Sequence, residues 1–210
     1  MRTLQKQPEP QVLIQKGAAW TRNYVEAAAP DRTTKERWRH SQIKDALRVE
    51  TGDRCAYCEA YVRDVSYDHV EHIRPKTLFP ELAHVWTNLT AACAVCNVSK
   101  DDYYDSDFPV LNPYTDSPET RLRPIGPLID WTTGDAQAEI SISKLGLNRI
   151  ELVHSRTRRL LAVRQLLERW RTSSQPLRDV VADAILEDAR EGEFPQSVRG
   201  FLADQGFPLG

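Results

Sequence analysis

Four cysteines and two histidines carry most of the chemistry available to this sequence. The cysteines, all that the chain has, form two Cys-x2-Cys pairs: "CAYC" at Cys55 and Cys58, and "CAVC" at Cys93 and Cys96. Two residues between thiolates let a tight turn aim both sulfurs at one tetrahedral ion, so the repeated pair reads as a single structural Zn²⁺ site. Two disulfides are the alternative. The first twenty residues lack the apolar core of a signal peptide, and a reducing cytosol disfavours such bridges. Between the pairs lies "YDHVEHIRPK", residues 67–76, with two of the chain's five histidines. An imidazole near its ordinary pKa of about 6.5 can accept a proton at neutral pH. On a strand, His69 and His72 point to opposite faces, and so do the neighbours Glu71 and His72 unless a bulge or bend turns one of them.

The elements that must position these groups follow from composition and periodicity. With 210 residues, 40% of them hydrophobic, the chain can bury one core and a small satellite. Its net charge of −2 is near neutral, so a nucleic-acid partner would have to be met by local basic surface. No apolar run reaches the length of a membrane span, which predicts a soluble, cytoplasmic protein without a membrane partner.

Three stretches can be separated. Residues 1–50 predict a polar, proline-containing arm followed by a helix from about Thr34 to Val49. Residues 51–112 predict a β-rich start, "AYVRDVSYDHVEHI", and a helix after Cys96. Residues 113–210 predict a loop to about residue 146, with a short strand at Ala138 to Ile142, and then helices. Val153, Leu160 and Leu167, with Val163 and Trp170 beside them, make one apolar stripe. The fold class is α+β: a small zinc-stapled ββα centre inside a mainly helical shell.

The pattern Cys-x2-Cys, "VEHIRPK", "WTNLTAACAVCNVSK" resembles the HNH endonuclease superfamily in its four-cysteine zinc-knuckle form, whose core is a ββα-metal unit. It further resembles the small HNH effector nucleases of Septu and retron antiphage systems. The resemblance implies Glu71 and Asn97 as ligands of a catalytic divalent cation, His72 as the base that activates water, and Asn88 as the brace of the loop that carries the histidine. Glu71 stands where much of the superfamily has Asp, and Asn97 where the family name expects His. Oxygen ligands at both positions favour Mg²⁺ or Mn²⁺. His69, Arg74, Lys76 and Lys100 are candidate substrate contacts, and Lys100 also reads as an ordinary helix-surface lysine. His40, His84 and His154 read as structural, and the five tryptophans as packing. Arginines clustered around 156–171 read as a solvated face or a nucleic-acid or partner contact.

The implied activity is metal-dependent phosphodiester hydrolysis of nucleic acid, DNA ahead of RNA, in antiphage defence alongside an ATPase partner. The competing class is a non-catalytic four-cysteine zinc module that binds DNA or protein. Such a module has no use for Glu71, His72, Asn88 and Asn97 in register, and their joint presence favours the enzyme.

Overall fold

A computed structural model describes residues 1–27, 35–62 and 69–209. Helix α1 (Gln11–Glu26) lies where the sequence predicts an arm. Leu13, Gly17, Trp20 and Tyr24 recur at helical spacing, and they turn one face inward although the segment begins among prolines and glutamines. The helix expected from Thr34 to Val49 is divided. Arg37–Arg39 form a 3-10 turn, His40 is extended (φ −58°, ψ 141°), and α2 runs over Ser41–Thr51. His40 opens α2, its ring Nδ1 accepting from the Gln42 amide at 3.2 Å, and Gly52 closes it with φ +63°. Residues 63–68 of the predicted β-rich start, Asp68 among them, lie outside the described residues.

The centre is an antiparallel pair, β1 (His69–His72) and β2 (Leu89–Ala92), followed by helix α3 (Ala94–Lys100). His69 faces Ala92 across the ladder, and His72 faces Leu89. This is a ββα unit, and with the helices around it the fold is α+β, as the sequence predicts. Helix α4 (Pro118–Arg121) leads into a second hairpin, β3 (Leu122–Ile125) and β4 (Leu128–Trp131). The segment expected as loop is therefore largely regular.

The strand expected at Ala138 to Ile142 is instead part of helix α5 (Ala136–Lys144). The Ile-Ser alternation suggests a strand, but Ala138, Ser141, Ile142 and Leu145 are buried at helical spacing, and the Asp135 carboxylate caps the Ala138 amide at 3.0 Å. Helices α6 (Ile150–Thr172), α7 (Leu177–Glu191) and α8 (Pro195–Asp204) complete the chain.

Three apolar clusters hold these elements. One surrounds the cysteines and takes side chains from all three stretches, among them Met1, Tyr57, Leu111, Leu147, Leu152 and Phe194. A second packs α1 and α2 against the central hairpin through Leu13, Tyr24, Trp38, Leu47, Trp86 and Leu89. A third joins α6, α7 and α8 through Leu160, Val163, Leu167, Ile185 and Leu202.

The four thiols are free and buried, and their sulfurs lie within 4.8 Å of one another. Cys58 and Cys93 are 3.9 Å apart, close to the ~3.8 Å that bonds of about 2.3 Å to a tetrahedral zinc impose. The cluster therefore suits that ion. Arg149, which precedes α6, points its guanidinium at three sulfurs, Cys96 at 3.5 Å, Cys93 at 3.8 Å and Cys58 at 3.9 Å. Burial opposes its charge, yet the neighbouring sulfurs outweigh burial and raise its pKa.

His84 sits in the second cluster, ringed by Trp20, Tyr24 and Trp38. Burial pushes its pKa down to about 4, with the charge of Arg37 acting the same way against a backbone hydrogen bond at Lys35.

Two tests follow from this packing. Metal analysis of the purified chain should find one tightly held Zn²⁺. Cys58→Ser should lose the metal and the cooperative thermal transition together, whereas zinc-free folded protein with oxidised cysteines would exclude the site. For His84 the folded pKa lies below the unfolded one of about 6.5. Its contribution to stability is therefore complete above pH 6.5 and lost as pH falls from 6.5 towards 4. Between pH 7 and 5.5, the loss in urea-unfolding stability should be smaller in His84→Gln by up to about 1 kcal/mol. Equal losses in both proteins would contradict this.

Candidate active site

The site is built on β1 and the elements that meet its end. Strand alternation gives His69 and Glu71 one face and Val70 and His72 the other. All four nevertheless line one cleft of about 480 Å³ where the strand ends. The loop after the strand adds Pro75, Lys76 and Thr77, α3 adds Asn97 and Val98, and Asp101 and Asp102 follow α3. Trp38, Arg39 and Lys44 close the opposite side.

His72 is buried, and its Nε2 lies 2.9 Å from the Ala83 carbonyl oxygen. A carbonyl only accepts, so Nε2 carries the hydrogen and Nδ1 holds the lone pair. Burial pushes the pKa down to about 3 despite that hydrogen bond, and the ring is neutral at pH 7. Glu71 is buried next to it. Its pKa is raised by burial and opposed by Lys100, whose ammonium stands 2.8 Å away. The Tyr57 hydroxyl also faces Glu71, at 3.4 Å.

Lys100 also donates to the backbone oxygen of His72 at 3.0 Å and is 2% exposed. This corrects the reading of Lys100 as an ordinary helix-surface lysine. Its charge is matched inside the ββα unit, between the Glu71 carboxylate and the His72 backbone.

Asn88 grips the loop that follows His72. Its Oδ1 accepts from the Arg74 amide at 2.8 Å, its Nδ2 donates to the Arg74 carbonyl at 3.0 Å and to Leu82 at 3.3 Å, and its own carbonyl accepts from Ile73 at 2.9 Å. Asn97 Nδ2 donates to His69 Nδ1 at 3.1 Å, so these two side chains meet in the cleft. Arg74 is turned away from it, its guanidinium over Phe79 at 5.6 Å and Tyr104 at 5.8 Å, whereas Lys76 stands 5.6 Å over Trp38 on the cleft wall.

The structure thus brings His69, Glu71, His72, Lys76 and Asn97 to one opening, with Asn88 and Lys100 behind them. Sequence reading passed over Trp38, Arg39, Lys44, Asp101 and Asp102. The acidic pair was visible directly after "CNVSK", but the three N-terminal residues carry no motif. A carboxylate and a side-chain amide on an open cleft suit a hard divalent cation that keeps water in its shell. Glu71 and Asn97 fit that description.

Residues 55–102 match the HNH endonuclease family model. Among curated proteins the chain is similar to Septu protein PtuB of Bacillus thuringiensis, 31% identical over 137 residues that cover 62% of this chain and 52% of that protein. It is also similar to Septu protein PtuB of Bacillus mycoides (strain KBAB4), 28% identical over 155 residues, with 59% and 52% covered. The chain spans about half the length of these relatives. The matched segment holds the four cysteines, the ββα unit and every cleft residue except Trp38, Arg39 and Lys44. The comparisons agree with the resemblance carried by the motifs: residues 55–102 are similar to HNH endonucleases, and the chain is similar to Septu proteins.

Proposed function

We propose that the chain is a metal-dependent endonuclease that hydrolyses phosphodiester bonds of nucleic acid, DNA ahead of RNA, as the cleaving component of a Septu-type antiphage defence system. The observation that carries this is His72: a neutral imidazole on the cleft, one nitrogen committed to Ala83 and the other left with a lone pair, beside the acid–amide pair Glu71 and Asn97.

In this reading His72 Nδ1 takes the proton of a water as its oxygen attacks phosphorus, and the bond from phosphorus to the 3′ oxygen breaks. Glu71 and Asn97 would hold the divalent cation, Mg²⁺ or Mn²⁺, which would supply charge neutralisation at the phosphate and leaving oxygen. Lys76 faces the incoming phosphate from the cleft wall. His69 holds the Asn97 amide, Asn88 fixes the loop after the base, and Lys100 anchors Glu71 to the backbone of His72. A zinc-only binding module would make no use of this cleft.

An ATPase is the proposed partner, and α6 to α8 are its docking surface. Support for this comes from the catalytic groups all lying at or before Asp102, and from Leu161 and Val180 standing exposed on those helices.

His72→Ala should keep its zinc, fold and substrate binding while losing roughly 10²- to 10⁴-fold in cleavage with Mg²⁺ or Mn²⁺. His69→Ala should stay within about tenfold of the native rate, since its role runs through Asn97. If His69→Ala is dead and His72→Ala cuts normally, the motif is read three residues out of register. Leu161→Asp combined with Val180→Asp should abolish co-purification with the proposed ATPase partner and leave zinc content unchanged. Undiminished co-purification would move the docking surface elsewhere.

A further inference from the structure

Trp38 lies outside the family-matched segment, on the 3-10 turn Arg37–Arg39, and yet it lines the cleft. Its indole is 3% exposed and stands perpendicular to the His72 ring, with centroids 4.9 Å apart and an interplanar angle of 89°. The indole is itself held from behind. Tyr24 on α1 meets it edge-on at 5.3 Å, and His84 lies 5.3 Å away at 45°.

A base needs its lone pair aimed at the attacking water, and the hydrogen bond to Ala83 is not enough to aim it. One bond at Nε2 leaves the ring free to swing about that contact, and the torsion that turns a histidine ring has broad, shallow wells. A flat surface packed perpendicular to the ring supplies the second constraint, because any swing drives imidazole atoms into the indole. We infer that Trp38 is a positioning residue for His72, so that the active site of this chain begins in its N-terminal stretch, ahead of the HNH segment. The inference rests on reading His72 as the base.

Simple core filling would tolerate any large apolar side chain at position 38. Orientation requires a flat ring, and this difference makes the two roles separable. In the full chain, assayed with the proposed ATPase partner where cleavage requires it, Trp38→Leu should lower kcat by roughly 10- to 100-fold, the scale of a misplaced catalytic group. KM should stay within about threefold, because Lys76, 5.6 Å over the indole, keeps its charge on the cleft wall when the ring beneath it is replaced. Trp38→Phe, which restores a ring, should recover kcat to within about fivefold of native. Nitrogen-15 NMR of the His72 ring should show the single Nε2-protonated neutral form in the native chain, and an altered nitrogen signal in Trp38→Leu.

Native kcat in a folded, zinc-holding Trp38→Leu would overturn the inference, and so would unchanged ring resonances. If Trp38→Leu fails to fold, Tyr24→Leu decides. That variant removes the support behind the indole without touching His72 and should cost about three- to tenfold in kcat, a native kcat overturning the inference. His72→Ala separates the two readings. If it cleaves normally, the assignment of the base falls. If it is dead while Trp38→Leu turns over normally, only the role of Trp38 falls.

Discussion

Four sulfurs gathered within 4.8 Å of one another are the constraint from which the rest of this structure follows. Thiolates packed this closely repel unless a cation sits among them, and a divalent ion bound by four of them still leaves net negative charge. Arg149 answers that excess from outside the cluster. The arginine immediately precedes α6, so its contacts with the sulfurs tie the start of that helix to the cysteine cluster. Leu147 and Leu152 then enter the same apolar cluster as the cysteines. The C-terminal helices are thus joined to the centre both by this charge contact and by apolar burial.

Inside the centre a second charge is managed differently. Glu71 and Lys100 are both buried, and removing either would leave the other uncompensated, typically at a cost of about 3–5 kcal/mol. A buried pair of this kind adds little net stability compared with apolar packing, but it fixes geometry. Lys100 reaches the Glu71 carboxylate and the His72 backbone oxygen at once, and so holds the end of β1 against α3. Asn88 does the same for the loop that follows. The cleft sits between these two clamps, lined on one side by the ββα unit and completed on the other by a turn that α1 supports.

The sequence by itself determined the centre. Cys-x2-Cys repeated with a histidine-bearing strand between is a local pattern whose chemistry depends on spacing, and the ββα unit, the cysteine cluster and the His69–Asn97 and Glu71–His72 neighbourhood all lie within one contiguous segment. The C-terminal stripe was legible for the same reason: Leu160 and Leu167 repeat on one helical face, and both are buried.

Only the tertiary structure decided the remainder. Alternating Ile and Ser made Ala138 to Ile142 resemble a strand, yet burial of Ser141 and Leu145 on the same face made it a helix, because packing overrides a short alternation. Lys100 looked exposed because lysine usually is, and nothing local announces a carboxylate on a strand that precedes it by 29 residues. Trp38, Arg39 and Lys44 carry no motif, so their place on the cleft emerged only when α1 and α2 folded against the hairpin. Spacing along the chain specifies groups that share a turn or a strand, whereas groups that meet across elements are specified by the shape of the core between them.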